Sequence, residues 1–287
     1  MGFYEDMAVN PFLLTGLLAG LCASLSCGIM GPFVISRRIV FLSGAIAHMA
    51  VGGIGAAIFL AHRFPDSFGW VHPLHGAVVS ALLAAVIIGL LHDRVNERLD
   101  TLIGSLWATG MAAGILLIKY TPGYQTELMS YLFGNIVYVT PGEVRMMVIL
   151  NLTIIVTVLL FYKRLLAICL DRQQAELQGV NVVAVDILML SLVALTVICL
   201  IQVVGLILVI ALLTLPAATS AHHFTRMAPM IVGSIILAAL LTTVSRVAVY
   251  GTRISPESAI VLSAGAVYLL SVSVRRLRRA RRASRSA

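Results

Sequence analysis

Long apolar runs, one after another, decide what this chain can become. They lie at about 11–35, 39–61, 73–92, 101–119, 143–162, 183–201, 203–221, 228–250 and 257–274. A bilayer core of about 30 Å takes about 20 apolar residues as a helix. Backbone inside lipid must satisfy its own hydrogen bonds, so each run is expected to be helical. The runs fill nearly all 287 residues and leave no room for a soluble catalytic domain. Charged residues make up 11% of the chain, against the roughly 25% of a soluble domain. The expected architecture is all-α: a single polytopic transmembrane domain over 1–287 with about nine helices, or eight if the first or last run behaves differently.

Loop charge orients the spans. Arg37-Arg38, the stretch from His92 through Arg94 to Arg98, Lys163-Arg164 with Arg172, His222-His223 with Arg226, and a basic tail at 275–287 all fall on one side if spans alternate. That side is expected to be the cytoplasm, leaving the N-terminus outside and the C-terminus inside. The tail carries seven arginines between Arg275 and Arg285. Directly after an apolar span it reads as an anchor facing anionic lipid, and the net charge of +8 does not indicate nucleic acid. The N-terminus lacks the basic flank of a signal peptide, so the first span is expected to be retained. Cys22, Cys27, Cys169 and Cys199 form no CxxC pair and read as small hydrophobes.

Within the second run, His48 sits about nine residues in, or roughly 14 Å along a helix, near the membrane midplane. At i±4 spacing Gly44, His48 and Gly52 share a face, with Gly55 close by. This face carries one metal-capable, protonatable group and little bulk. A polar side chain at that depth is a functional hypothesis by default. Its plainer alternative is a histidine bonded to a neighbouring backbone carbonyl.

Other stretches depart from simple spans. Leu128 to Val139 is apolar but too short to cross, and is bounded by Pro122-Gly123 and Pro141-Gly142. It reads as a re-entrant segment shaping a mouth or gate, or as an amphipathic helix on the outer surface. Glu127 beside it would help an ion enter or contact a delivery protein. His62, His72 and His75, with Asp66 between them, cluster at the outer mouth as ion receivers or as solvated loop residues. On the opposite side, about 165–181 leaves the membrane. Asp171 can cap a short helix, Ala175 and Leu177 give it apolar contacts, and Gly179 stops it. Such a helix is a docking peg for a partner, or a bare connector. Gly31-Pro32 near the end of the first run and Pro216 late in the seventh are expected to break their helices near the cytoplasmic end, where breaks line transport pathways.

Taken in order, the pieces Gly28-Ile-Met-Gly-Pro-Phe-Val34 with Arg37-Arg38, Gly44 to His48 with Gly52-Gly53-Ile54-Gly55, Asp100 to Gly104, Tyr131-Leu-Phe-Gly134, Ala175-Glu176-Leu-Gln-Gly179-Val180, Val204-Gly205 through Leu215-Pro-Ala-Ala-Thr219, and Pro256 before Ala259-Ile-Val261 resemble the permease subunits of zinc/manganese ABC importers. The resemblance covers residues 11 to 274. It implies a type II importer-like fold in a prokaryotic cell membrane and a homodimer or paired permease. It also implies a cytoplasmic ATP-binding subunit and an extracytoplasmic metal-binding protein. It makes the segment with Asp171, Ala175, Glu176, Leu177 and Gly179 the helix that couples to the ATPase. In that family the second span often carries an Asp four residues before the His. Here that position is Gly44, so only His48 carries over.

The expected function is therefore ATP-driven import of a divalent transition metal. The metal is substrate, with no permanently bound cofactor. Zinc favours nitrogen and sulfur ligands and manganese favours oxygen, so keeping the imidazole without the carboxylate tilts the expectation to zinc over manganese or iron. A proton-coupled secondary carrier is the rival, and it has no use for 171–181. An intramembrane enzyme would need a second catalytic group at the depth of His48, where no carboxylate is found. The sequence holds no HExxH and no GxxxxGK[ST], so ATP hydrolysis falls to a partner.

Overall fold

A computed structural model of the chain describes residues 6, 10–91, 99–122 and 139–286. Ten helices follow among them: α1 (Pro11–Ser36), α2 (Val40–Arg63), α3 (Pro65–Phe68), α4 (Pro73–Leu91), α5 (Leu99–Lys119), α6 (Pro141–Leu170), α7 (Arg172–Leu177), α8 (Val182–Ala221), α9 (Met227–Ala248) and α10 (Pro256–Ser286). Proline opens α1, α3, α4, α6 and α10, where its missing N–H is no loss and its fixed φ suits the first turn. The start of α6 is closed further by a capping box between Thr140 and Glu143.

Eight helices among the described residues are long and apolar enough to cross a membrane. More than half of the apolar stretch is buried in α1, α2 and the first part of α8, and less than a third in α5, α6, α9 and α10. The first three therefore form the core, and the others turn broad faces such as Leu152, Leu159 and Leu160 outward. Lipid tails are as apolar as Leu, so helices here associate by close packing and buried polar bonds. Gly53 of α2 and Gly76 of α4 meet backbone to backbone, each leaving no space for a Cβ on the other. A Cβ on Gly52 would lie 2.8 Å from the Gly110 carbonyl, and one on Gly55 2.5 Å from that of Gly114, so α2 lies against α5 along a glycine seam. Ser24 of α1 shares a 2.9 Å hydrogen bond with Thr242 of α9, and Asn151 of α6 donates to the Cys22 carbonyl of α1 at 3.1 Å.

Helix α8 departs from expectation. Straight, its 40 residues would reach about 60 Å, twice the hydrocarbon thickness. Asp186 and Leu213 would then stand about 40 Å apart. Yet Asp186 pairs with Arg37, and Leu213 packs on Gly31, only two turns away along α1. The helix is bent back at Gly205, whose φ of 71° and ψ of 170° lie outside helical space. Of the two spans expected at 183–201 and 203–221, the first is a full crossing. The second is represented by the short arm Val209–Ala221, about 20 Å long. The count of eight thus arises in the middle of the chain, not at its first or last run.

The expected proline breaks are corrected as well. Pro32 and Pro216 both lie inside continuous helix, and the interruption in α8 falls eleven residues before Pro216. A proline removes one N–H, which a packed helix tolerates. A φ of 71° needs glycine. Replacing Gly205 with Ala is expected to destabilise the protein by about 1–3 kcal/mol, read as a lower thermal midpoint in detergent. Gly104→Ala, in an exposed helical position with open space around it, should leave the midpoint unchanged or slightly higher.

Candidate metal pathway

His48 projects from α2 toward Trp107 of α5, one turn from Gly44, where Ile210 of the short arm of α8 packs. Its Nδ1 lies 2.8 Å from the Gly44 carbonyl oxygen. A carbonyl only accepts, so Nδ1 carries the proton and neutral His48 keeps its lone pair on Nε2. This is the plainer alternative raised by the sequence, and it is also how metal-binding histidines are oriented, with the distal nitrogen held by a backbone oxygen. The imidazole is half-buried, and Trp107 of α5 covers it with ring centroids 4.3 Å apart at 32°.

Gly44 does more than mark an absent side chain. A Cβ there would meet the Trp107 ring at 2.9 Å and the Ile210 side chain at 3.1 Å. Trp107 and Ile210 occupy the volume that a residue larger than glycine would take. The face expected to be bare is therefore filled: Gly44 accepts Trp107, while Gly52 and Gly55 accept the backbone of α5. Gly31 admits Leu213 and Ala217 in the same manner, joining α1 to the short arm of α8. Among the described residues no group of three or more His, Cys, Asp or Glu side chains comes together to hold a metal.

At the other end of α2, His62, His72 and His75 are exposed. His72 and His75 are partnered with each other: the His72 N–H donates to His75 Nδ1 at 3.1 Å, and Leu74 N–H donates to His72 Nδ1 at 3.4 Å. This pair caps the start of α4 and occupies both Nδ1 atoms, which leaves Nε2 of each ring for solvent. His62 and Asp66 complete no ligand set with them. Glu127 and the apolar segment before Val139 lie outside the described residues.

The segment after α6 behaves largely as its residues dictate. Asp171 accepts a hydrogen bond from Gln174 N–H at 3.1 Å and caps α7. Gly179, at φ 79°, ends it, with Val180 N–H bonded back to the Ala175 carbonyl. Ala175 is buried, but Leu177 is 88% exposed and makes no inward contact, contrary to expectation. Leu170 is exposed beside it, next to a cavity of about 240 Å³ lined by Ala167, Asp171, Gln174 and Gln178. Glu176 stands on the exposed side of the same helix.

Two groups escaped the sequence reading. Arg37 was counted as an orienting loop charge, yet it pairs with buried Asp186 at 2.8 Å. Asp186 is the lone carboxylate within the run 183–201, and that alone was a signal. Trp107 carried no signal, because an aromatic in a span is ordinary. Beyond the short arm of α8, His222 Nδ1 is 2.9 Å from Ser271 Oγ and His223 Nε2 is 3.3 Å from it. Burial, with Arg275 and His223 nearby, pushes His222 below the ordinary histidine range.

Eight helices among the described residues are apolar enough to cross a membrane, and an oriented histidine is packed among them, an arrangement that suits a membrane transport component. Residues 9–275 match the ABC 3 transport family, and the chain belongs to it. It is 35% identical over 266 residues to a probable metal transport system membrane protein of Chlamydia trachomatis, covering 93% of this chain and 90% of that one. It is 28% identical over 271 residues to the manganese transport system membrane protein MntC of Listeria monocytogenes, at 94% and 93% coverage. Among solved structures, PsaBC from Streptococcus pneumoniae in complex with Fab superposes with a TM-score of 0.83 and 28% identity over 94% of both chains. The protein is a membrane subunit of an ABC 3 transporter, a transport component.

The stacked rings supply a direct readout. In a Trp70→Phe background Trp107 is the remaining tryptophan. Adding zinc should change its emission, and His48→Ala should abolish that change. An identical response in the His48→Ala chain would remove the imidazole from the ion's path.

Proposed function

We propose that this permease imports a divalent transition metal, zinc first, by alternating access powered by a separate cytoplasmic ATPase. The observation that carries the reading is His48, its Nδ1 held by Gly44 and its Nε2 left free, inside a bundle of the ABC 3 family. One nitrogen donor with no assembled companions among the described residues suits an ion in transit: four closed ligands would trap it. A site equally favourable in both states drives nothing, so the energy must come from elsewhere. In this reading the Arg37 end of the bundle faces the cytoplasm, following the basic loops. There α7, with Leu170 and Leu177 exposed, docks the ATPase. The opposite end, with His62, His72 and His75, meets an extracytoplasmic metal-binding protein. A second permease, a copy of this chain in the simplest case, completes the pathway and supplies further ligands beside His48.

Manganese is the second reading, favoured by relatives that carry manganese in their names. Oxygen ligands would then have to come from elsewhere than position 44, which has no room for a carboxylate while Trp107 stays in place.

The test is uptake of labelled zinc into vesicles holding the chain, its ATPase and its binding protein, with manganese as competitor. The expected result is ATP-dependent zinc uptake that a tenfold excess of manganese barely reduces. His48→Ala is expected to lower uptake by about 10–100-fold, in the range seen for weakened metal contacts, while the subunits still co-purify. Uptake by the chain without an ATPase would overturn the reading and favour the secondary carrier.

A further inference from the structure

We infer that Asp186 is a positioning residue for transport, a carboxylate shared between Arg172 of α7 and Arg37 of α1 that ties the movement of the docking helix to the helices beside His48. The inference rests on the reading of α7 given above and adds the route by which its motion enters the membrane.

Asp186 lies in the second turn of α8 and is 3% exposed. Its Oδ1 is 2.8 Å from Arg37 Nη2, and its Oδ2 is 3.2 Å from Arg172 Nη2. Arg37 Nη1 also donates to the Ile168 carbonyl at 3.1 Å. That carbonyl belongs to the last turn of α6, where main-chain acceptors lack helical partners and the helix dipole favours a cation. One carboxylate and two guanidinium groups thus join the ends of four helices: α1, α6, α7 and α8. The group is largely removed from water. Pulling one partner away would leave a buried charge uncompensated, so the link resists stretching.

What lies beyond Asp186 gives the tie its consequence. Helix α8 runs from it to Gly205 and bends back, so that Ile210 sits beside Gly44, one turn from His48. Helix α1 runs from Arg37 to Gly31, which seats Leu213 and Ala217 of the same short arm. Both routes from the carboxylate end on the arm of α8 that packs beside Gly44, one turn from His48. A displacement of α7 that drags Arg172 is handed to that arm from two sides. An anchor serving stability alone has the same contacts but predicts that transport and ATP turnover fail together.

Arg172→Ala separates these outcomes, because it leaves the Arg37–Asp186 pair in place. In the assembled complex the variant is expected to keep ATP turnover within about twofold of wild type while metal uptake falls about tenfold, within the usual span of coupling between sites. Arg172→Lys should restore most of the uptake. Unchanged uptake, or a parallel loss of uptake and ATP turnover, overturns the inference. A second measurement does not depend on transport. Spin labels at Leu177 and Phe41, both largely exposed, in a chain carrying Cys22→Ala and Cys169→Ala, report the distance from α7 to the start of α2. Arg172→Ala should broaden that distance distribution. If the wild-type complex moves no metal, the transport reading fails while the distance still tests the tie, and an unchanged distribution overturns it.

Discussion

Backbone contact between glycines holds this bundle together. In lipid, one apolar helix gains nothing by hiding another, so attraction comes from van der Waals contact at short range and from polar groups that would otherwise be stranded. Helix α2 meets this requirement on two sides. Gly53 closes onto Gly76 of α4, and Gly52 and Gly55 close onto Gly110 and Gly114 of α5. Such contacts set helix spacing by main-chain radius, and they place Trp107 directly over His48. A methyl group anywhere along either seam would separate the helices and with them the two rings.

Polar groups serve the other half of the requirement. Asn151 spends both amide hydrogens on carbonyls, one of them on α1, and Ser24 pairs with Thr242 across α1 and α9. A charged version lies at one end, where Arg37, Asp186 and Arg172 meet. This end also holds α7, so a largely buried ion-pair network lies where a partner would push. The histidine end is built differently. His72 and His75 cap a helix with their Nδ1 atoms, and among the described residues no carboxylate joins them into a ligand set.

Much of this was legible in the residues. Run length and hydropathy made the chain an all-helical membrane protein, and the order of short motifs pointed to metal ABC permeases. Asp171 and Gly179 announced a capped, glycine-stopped helix because capping depends on chemistry within three or four residues. The middle of the chain misled for an equally local reason. Apolar content cannot distinguish two spans from one span and a returning arm, and prolines looked like the natural breaks. The break fell at Gly205 because its positive φ, not a lost N–H, is what turns the backbone.

By itself, then, the sequence determined the class of fold, the helix ends whose caps are local, and the presence of one imidazole deep in an apolar run. Each follows from composition or from neighbours a few residues apart. Tertiary structure decided what that imidazole faces. Trp107 is 59 positions from His48 and Ile210 is 166 from Gly44. No periodicity relates such positions, and only the glycine seam and the bend at Gly205 bring them together. The same holds for Arg37 and Asp186, 149 residues apart. In sequence they are an orienting charge and a stray acid. In the folded bundle they are the two halves of one buried pair, because neither charge can enter a low-dielectric interior without the other.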